Sequence, residues 1–316
     1  MIDRKLMREL RGFLARSAHP LIVILGPTAS GKTAFSIDLA RILKKEGIGA
    51  EIINADSRQL YRHLDIGTAK ISKKEMHGIP HHLLNVLDPD EEVTAAWYKE
   101  EAAGTIGEIL QRGHLPMLVG GSMLYISAVM DGLRFAPAGD PKVRTELERS
   151  FANDHGKTLS ACLWKLDPEA AAAINPKNPR HVVRALEIVL STGKRVSDAK
   201  KKGTVPFDLF VIGMQWPREK LKKRIHERTH VLFEEGWVAE VRGLMKKGYR
   251  PDAPAMESHG YREIMEALRS GAAINEEKLC EAITKKSCAY AKRQMTWWKH
   301  DRRIHWIRPE PARPKG

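Results

Sequence analysis

Residues 26–33 read Gly26-Pro27-Thr28-Ala29-Ser30-Gly31-Lys32-Thr33, and this spacing of two glycines, a lysine and a hydroxyl is the chemistry of a diphosphate cradle. Gly26 and Gly31 permit the positive-φ backbone that turns successive amide N–H groups into one concavity. Lys32 supplies a point charge, and Thr33 a hydroxyl suited to ligating Mg²⁺. An apolar run, Leu21–Leu25, precedes the motif and an amphipathic stretch, Ala34–Leu43, follows it. The expected context is therefore strand, phosphate loop, helix, with the helix dipole favouring an anion at its start. The motif itself leaves open whether that anion belongs to a nucleotide.

Two further stretches carry candidate chemistry. In Asn54-Ala55-Asp56-Ser57-Arg58-Gln59, Asp56 ends a predicted strand close to the phosphate loop, where it can serve as general base, as metal ligand or as a helix N-cap. In Val119-Gly120-Gly121-Ser122, a Gly-Gly turn lets backbone approach a ligand, and Ser122 presents a hydroxyl either to that ligand or to the helix it begins. The stretch Asp65–Lys70 is too polar and glycine-dependent for a buried element. The cluster His77, His81 and His82 lacks a matching carboxylate pattern, which favours loop packing over a metal site.

Predicted strands at Leu21–Leu25, Ala50–Asn54, Pro116–Val119, Leu209–Met214 and Arg303–Ile307 alternate with helical stretches at Ala95–Gln111, Ser122–Met130, Pro217–Glu235 and Glu277–Lys299. This alternation predicts an α/β fold: a P-loop NTPase-like parallel sheet flanked by helices, formed by 1–130 and 208–316. Ligands of such sheets bind at the carboxyl ends of the strands, where the residues above fall. Residues 131–207 break the alternation, with helical patterns at Lys142–Phe151, Thr158–Trp164, Pro168–Ile174 and Pro179–Ser191, and read as an all-helical insertion. Its second half is basic, from Lys177 through Arg180, Arg184, Lys194 and Arg195 to Lys200, Lys201 and Lys202, against only Glu187 and Asp198. Such a run is either a solvated face or a phosphate-backbone contact surface.

The 316 residues are 42% hydrophobic and 29% charged, as in an ordinary soluble protein, and no apolar run approaches bilayer length. With 53 Lys+Arg against 39 Asp+Glu the net charge is +14, which points to a polyanionic partner. Three cysteines, Cys162, Cys280 and Cys288, include no C-x-x-C pair, so a reducing cytoplasm is expected. The basic N-terminal segment lacks a secretory apolar region, and Asp3 and Glu9 count against an organelle transit peptide. A monomer is the default expectation.

Together these blocks resemble the tRNA dimethylallyltransferase (isopentenyl-tRNA transferase) family. The likeness spans about residues 20–307 and rests on Gly26–Thr33, Asp56-Ser57, Asp65–Lys70, Val119-Gly120-Gly121 with Leu124-Tyr125, and Gly260-Tyr261-Arg262. It implies transfer of a dimethylallyl group from dimethylallyl diphosphate to the exocyclic N6 of the adenosine immediately 3′ of the anticodon. It implies that the phosphate loop holds the donor's diphosphate with Mg²⁺ on Thr33, that Lys32 and Arg228 face that diphosphate, and that Asp56 is the base. For tRNA it implies Asp56, Ser57, Arg58 and Gln59, Ser122, Arg144, the stretch Arg180-His181-Val182-Val183-Arg184, and Glu257-Ser258-His259-Gly260-Tyr261-Arg262. The inserted helices become a tRNA-binding domain in this reading. Ser122 stands where the family usually has Thr, which keeps the hydroxyl and loses a methyl. The zinc-finger extension of many eukaryotic relatives is not seen, so a bacterial-type member is expected. The competing readings are a phosphate-loop kinase acting on a small molecule and a non-catalytic RNA-binding NTPase. The first leaves the basic insertion without a role, and the second leaves Asp56 without one.

Overall fold

Five of the apolar runs become strands of a parallel sheet: β1 (Pro20–Leu25), β2 (Ala50–Ala55), β4 (Leu115–Gly120), β5 (Asp208–Met214) and β6 (Ile304–Ile307), each within about a residue of its predicted bounds. The sixth, β3 (His81–His82), is short, pairing only through Ile52 with His81 and Ile53 with His82. The strand order is β3-β2-β4-β1-β5-β6. The computed structural model describes residues 2–135, 140–199, 203–271 and 273–308. They divide into two units, Met1–Met130 with Pro206–Gly316, and Asp131–Val205.

Strand residues alternate between two apolar layers, which is why helices cover both faces of the sheet. Leu21, Val23 and Leu25 of β1 join one cluster with Ile53, Leu118 and Val211. That layer is closed by α3 (Ala95–Gln111), α4 (Met123–Met130), α11 (Trp237–Lys246), α12 (Tyr261–Arg269) and α13 (Glu276–Trp298). Ile22 and Ile24 join the opposite cluster with Ile52, Met117 and Ile212, under α1 (Arg4–Leu14) and α2 (Lys32–Lys45). Each such side chain contributes about 1.5–3 kcal/mol by leaving water. The basic N-terminal segment is thus part of the fold: Leu6, Met7 and Leu10 of α1 are buried, and Arg11 donates two hydrogen bonds to Glu46, at 3.1 and 2.6 Å.

The edge strand β3 accounts for two of the clustered histidines, His81 and His82. Glu51, buried on β2, accepts from Arg112 (2.9 Å) and hydrogen-bonds His82 (2.6 Å) and His114 (2.7 Å). These partners outweigh its burial and hold the carboxyl down at about 2. Among the described residues no group of three or more His, Cys, Asp or Glu is placed to hold a metal ion.

The second unit is all helical: α5 (Pro141–Asp154), α6 (Lys157–Leu166), α7 (Pro168–Ala173), α8 (Pro179–Thr192) and α9 (Val196–Ala199). Leu147, Leu159, Leu163, Val182, Val183, Ala185 and Leu186 form its core. Val182 and Val183, expected among the tRNA-contacting residues, are only 1% and 2% exposed, so their side chains pack into the unit's core. Arg180 and His181 are exposed beside them. Arg184 pairs with Glu187 at 2.8 Å, and Glu187 is itself buried. Arg144 is exposed and pairs with Glu148 at 3.1 Å. Lys200, Lys201 and Lys202 of the basic run lie outside the described residues.

Candidate active site

The phosphate loop joins β1 to α2. Gly26 lies at φ 149° and Gly31 at φ 91°, and a Cβ on Gly26 would stand 2.8 Å from Met214 O, so glycine is required there. Ala29 also takes a left-handed φ of 58°, which the glycine pattern did not reveal. The loop is held both from within and from outside. Lys32 Nζ donates to Pro27 O (2.8 Å), Arg224 Nε to Ala29 O (2.9 Å) and Trp216 Nε1 to Ser30 O (3.0 Å). The Thr28 N–H donates to Gln294 Oε1 at 2.9 Å, and Gln294 Nε2 donates to Gly121 O at 2.7 Å. A single buried amide on α13 therefore ties the phosphate loop to the Gly-Gly turn after β4.

Burial lowers Lys32 to about 8, against the opposing pull of Asp56, while Arg228 pushes it further down. Arg228 belongs to α10 (Arg218–Glu234) and donates to Thr28 Oγ1 (3.3 Å) and Thr68 O (3.2 Å). Burial lowers its pKa too, and Asp56 again opposes. Two cations and one carboxylate thus act on one another's charge at the strands' carboxyl ends. The Ser30 hydroxyl is fully buried there without a hydrogen-bond partner, and Thr33 is exposed in the first turn of α2. An unpaired buried hydroxyl, a cation and helix-start amides fit a bound diphosphate with its metal counter-ion.

Asp56 follows β2 directly. Its Oδ1 accepts from the Arg58 N–H (3.0 Å), and its own N–H donates to Asn54 Oδ1 (3.0 Å). Asn54 is in turn fixed by donating to Leu83 O (2.9 Å), while its carbonyl accepts from Tyr98 OH (2.8 Å). The carboxylate is turn-forming and yet, among the described residues, keeps Oδ2 without a hydrogen bond. Tyr98 stacks on Tyr125 at 4.2 Å, and burial raises both phenols, so they stay protonated beside Asp56. Burial likewise pushes Tyr290 up to about 12. Ser122 is not a side-chain cap of α4: its hydroxyl accepts from the Ser57 N–H at 2.8 Å. Ser122→Ala leaves that N–H unpaired at about 1–3 kcal/mol and is expected to slow transfer by about tenfold, whereas Ser122→Thr keeps the bond and the rate. Steady-state kcat for the two variants checks this; equal rates for Ala and Ser would leave Ser122 without a role.

The stretch Asp65–Lys70 is organised by a residue the sequence did not single out. Glu240 accepts from the N–H groups of Asp65 (2.8 Å), Ile66 (2.7 Å) and Gly67 (3.1 Å), and from Tyr261 OH (2.6 Å). The indole of Trp237 fills the space between Gly67 and Gly260, where a Cβ on either would come within 2.0 Å of it. Two glycines nearly two hundred positions apart are therefore one packing requirement. This revises part of the expected RNA face. Tyr261 is fully buried on Glu240, and Ser258 is buried with its hydroxyl donating to Ala255 O (2.6 Å), so both are structural. Gln59 is likewise turned to Thr68 O (3.1 Å), and Arg58 donates to Pro254 O (3.0 Å). Glu257, His259 and Arg262 are exposed and line a cavity of about 440 Å³ with Lys286 and Arg293.

A phosphate loop on a parallel sheet, with an acidic side chain at the next strand's end and a second cation, an arginine from a neighbouring helix, defines a group-transfer enzyme acting at a diphosphate. The IPP transferase family model matches residues 59–301. A Geobacter sulfurreducens protein named tRNA dimethylallyltransferase is 40% identical over 299 residues, covering 94% of each chain. A Mycobacteroides abscessus protein of the same name is 41% identical, covering 93% of each. The solved structure of a tRNA isopentenylpyrophosphate transferase from Bacillus halodurans superposes with a TM-score of 0.67 at 38% identity, covering 92% of this chain and 90% of that one. A eukaryotic dimethylallyltransferase acting on tRNA superposes with a TM-score of 0.77 at 27% identity, covering 92% and 74%. The chain belongs to the IPP transferase family.

Proposed function

We infer that this protein is a tRNA prenyltransferase that moves a dimethylallyl group from dimethylallyl diphosphate to N6 of the adenosine immediately 3′ of the anticodon. The observation that carries this reading is that Lys32 and Arg228, both bonded to the phosphate loop, feel the charge of the Asp56 carboxylate, cations for a leaving diphosphate near a base for an amine. The adenine N6 forms a bond to the allylic carbon as the carbon–oxygen bond to diphosphate breaks, and the electron pair leaves on the diphosphate oxygen. Asp56 Oδ2 takes the proton the amine must lose. Negative charge grows on the bridging oxygen in the transition state, so Lys32, Arg228 and the loop amides bind it more strongly then than in the ground state. With the Thr28 N–H donating to Gln294 and the Ser30 N–H to Pro27 O, the loop amides left to face the anion include those of Ala29 and Gly31. Thr33 would hold a Mg²⁺ ion, which when bound neutralises diphosphate charge. Because the amine is a weak nucleophile, alignment of base and donor contributes as much as proton removal. The target base comes from a loop, which lowers the cost of extruding it.

No described helix is long and apolar enough to cross a membrane. The three cysteines are free, which suits a cytoplasmic enzyme, and a monomer suffices for the site. The test is to incubate the chain with donor and unmodified tRNA and map the product. A prenylated adenosine 3′ of the anticodon is expected; modification elsewhere, or none, would overturn the reading.

The helical unit is the proposed electrostatic grip on tRNA. Arg184 is a poor probe of it, because Arg184→Ala would strand the buried Glu187 carboxylate. Lys177 and Arg180 are both exposed, so Lys177→Ala with Arg180→Ala tests the surface without touching the core. Two lost phosphate contacts flatten the salt dependence of log K by about one to two units. Titration of tRNA at several salt concentrations reads this directly, and an unchanged slope would mean a merely solvated face.

A further inference from the structure

We propose that His226 and His230, on the outward face of α10, form a two-imidazole site for a borderline divalent transition-metal ion such as Zn²⁺, Ni²⁺ or Cu²⁺. The two residues are four apart on one helix, both exposed, and their Nε2 atoms stand 3.3 Å from one another. Two metal–nitrogen bonds of about 2.05 Å meeting at a tetrahedral angle place their nitrogens about 3.3–3.4 Å apart. The pair is therefore already spaced for chelation. Ring centroids 4.5 Å apart and planes inclined by 57° let both lone pairs converge on one point without stacking the rings face to face. A metal ion would take the lone pair of each Nε2, with each ring carrying its N–H on Nδ1.

The local sequence, His226-Glu227-Arg228-Thr229-His230, has the spacing of a zinc-protease helix, but its other parts exclude that chemistry. Arg228 and Thr229 turn inward, Arg228 to the phosphate loop and Thr229 to Ile225 O at 2.8 Å. Glu227 is exposed and lies 3.8 Å from Lys223 Nζ. No third protein ligand completes the group among the described residues. The site is a chelate with open positions for water. Carboxylates at Glu227 and Glu234, three before and four after His230, offset Lys222 and Lys223 on the same side of the helix. Imidazole pairs suit Zn²⁺, Ni²⁺ and Cu²⁺ and not Mg²⁺, so this site is separate in chemistry from the diphosphate crevice. Its position gives it a consequence: a metal closing this turn staples the stretch of α10 that carries Arg228.

The experiment is titration of the full chain with ZnCl₂ or NiCl₂ by calorimetry, with Mg²⁺ in excess, beside His226→Gln, His230→Gln and the control His300→Gln. The tightest metal equivalent should be present in the wild type and in the His300 control, and lost in both α10 variants. At a metal concentration about tenfold above Kd, the wild type's Tm should rise by about 2–4 °C, and that rise too should vanish in the α10 variants. Amide exchange over 226–230 should slow with metal in the wild type alone. Equal stoichiometry and affinity in the wild type and both α10 variants would overturn the proposal, as would displacement of the bound ion by Mg²⁺.

Discussion

Asp56→Asn is expected to lower kcat by about 10²–10⁴ while leaving tRNA affinity within a few-fold. The asparagine is the informative substitution here. Oδ1 of Asp56 accepts from the Arg58 N–H, and an amide oxygen can accept that bond equally well. The turn that carries Ser57, Arg58 and Gln59 should therefore survive, while the second oxygen, the one available to take a proton, becomes an amide nitrogen that cannot. Asp56→Ala removes both, so it should lose as much activity and some order in the turn. A near-normal kcat for the asparagine variant would end the role of Asp56 as base.

Arg228→Gln should reduce kcat/KM for the prenyl donor by about 10²–10³, the range seen when one preorganised stabiliser of a developing anion is removed. Glutamine keeps a donor that can still reach Thr28 Oγ1 or Thr68 O, so the phosphate loop should keep its shape. What is lost is the charge. Tight tRNA binding should persist, since Arg228 lies among the loop residues and not on the exposed basic surface. Steady-state kinetics with donor varied and tRNA saturating measures the effect, and a change of less than about threefold would remove Arg228 from the transition-state account.

Much of this architecture was legible because hydrophobic periodicity and strand-end position are local properties. The strands β1, β2, β4, β5 and β6 were found because a buried parallel strand is a short unbroken apolar run. The strand β3 was not, because two histidines carry no such signal and their register with Ile52 and Ile53 arises only on folding. The phosphate loop, Asp56 and Arg228 announce themselves by motif or by resemblance. The residues that hold them do not. Gln294 is one amide in a basic, aromatic helix, and nothing nearby in sequence shows that both its ends are engaged at Thr28 and Gly121. Glu240 and Trp237 are equally silent, since their partners at residues 65–67 and 260–261 meet them only after folding. The opposite error arose for Val182, Val183, Ser258 and Tyr261. The family resemblance included them, whereas burial gives their side chains to the core.

The central claim is that the phosphate loop serves a prenyl donor's diphosphate and not the hydrolysis of a nucleotide. It is tested most directly by measuring diphosphate release and prenyl-tRNA formation together, with dimethylallyl diphosphate, unmodified tRNA and no ATP. The two products should appear one for one, added ATP should neither be required nor turned over, and Lys32→Ala should abolish both signals together. A requirement for ATP, or release of its γ-phosphate in step with turnover, would contradict the account.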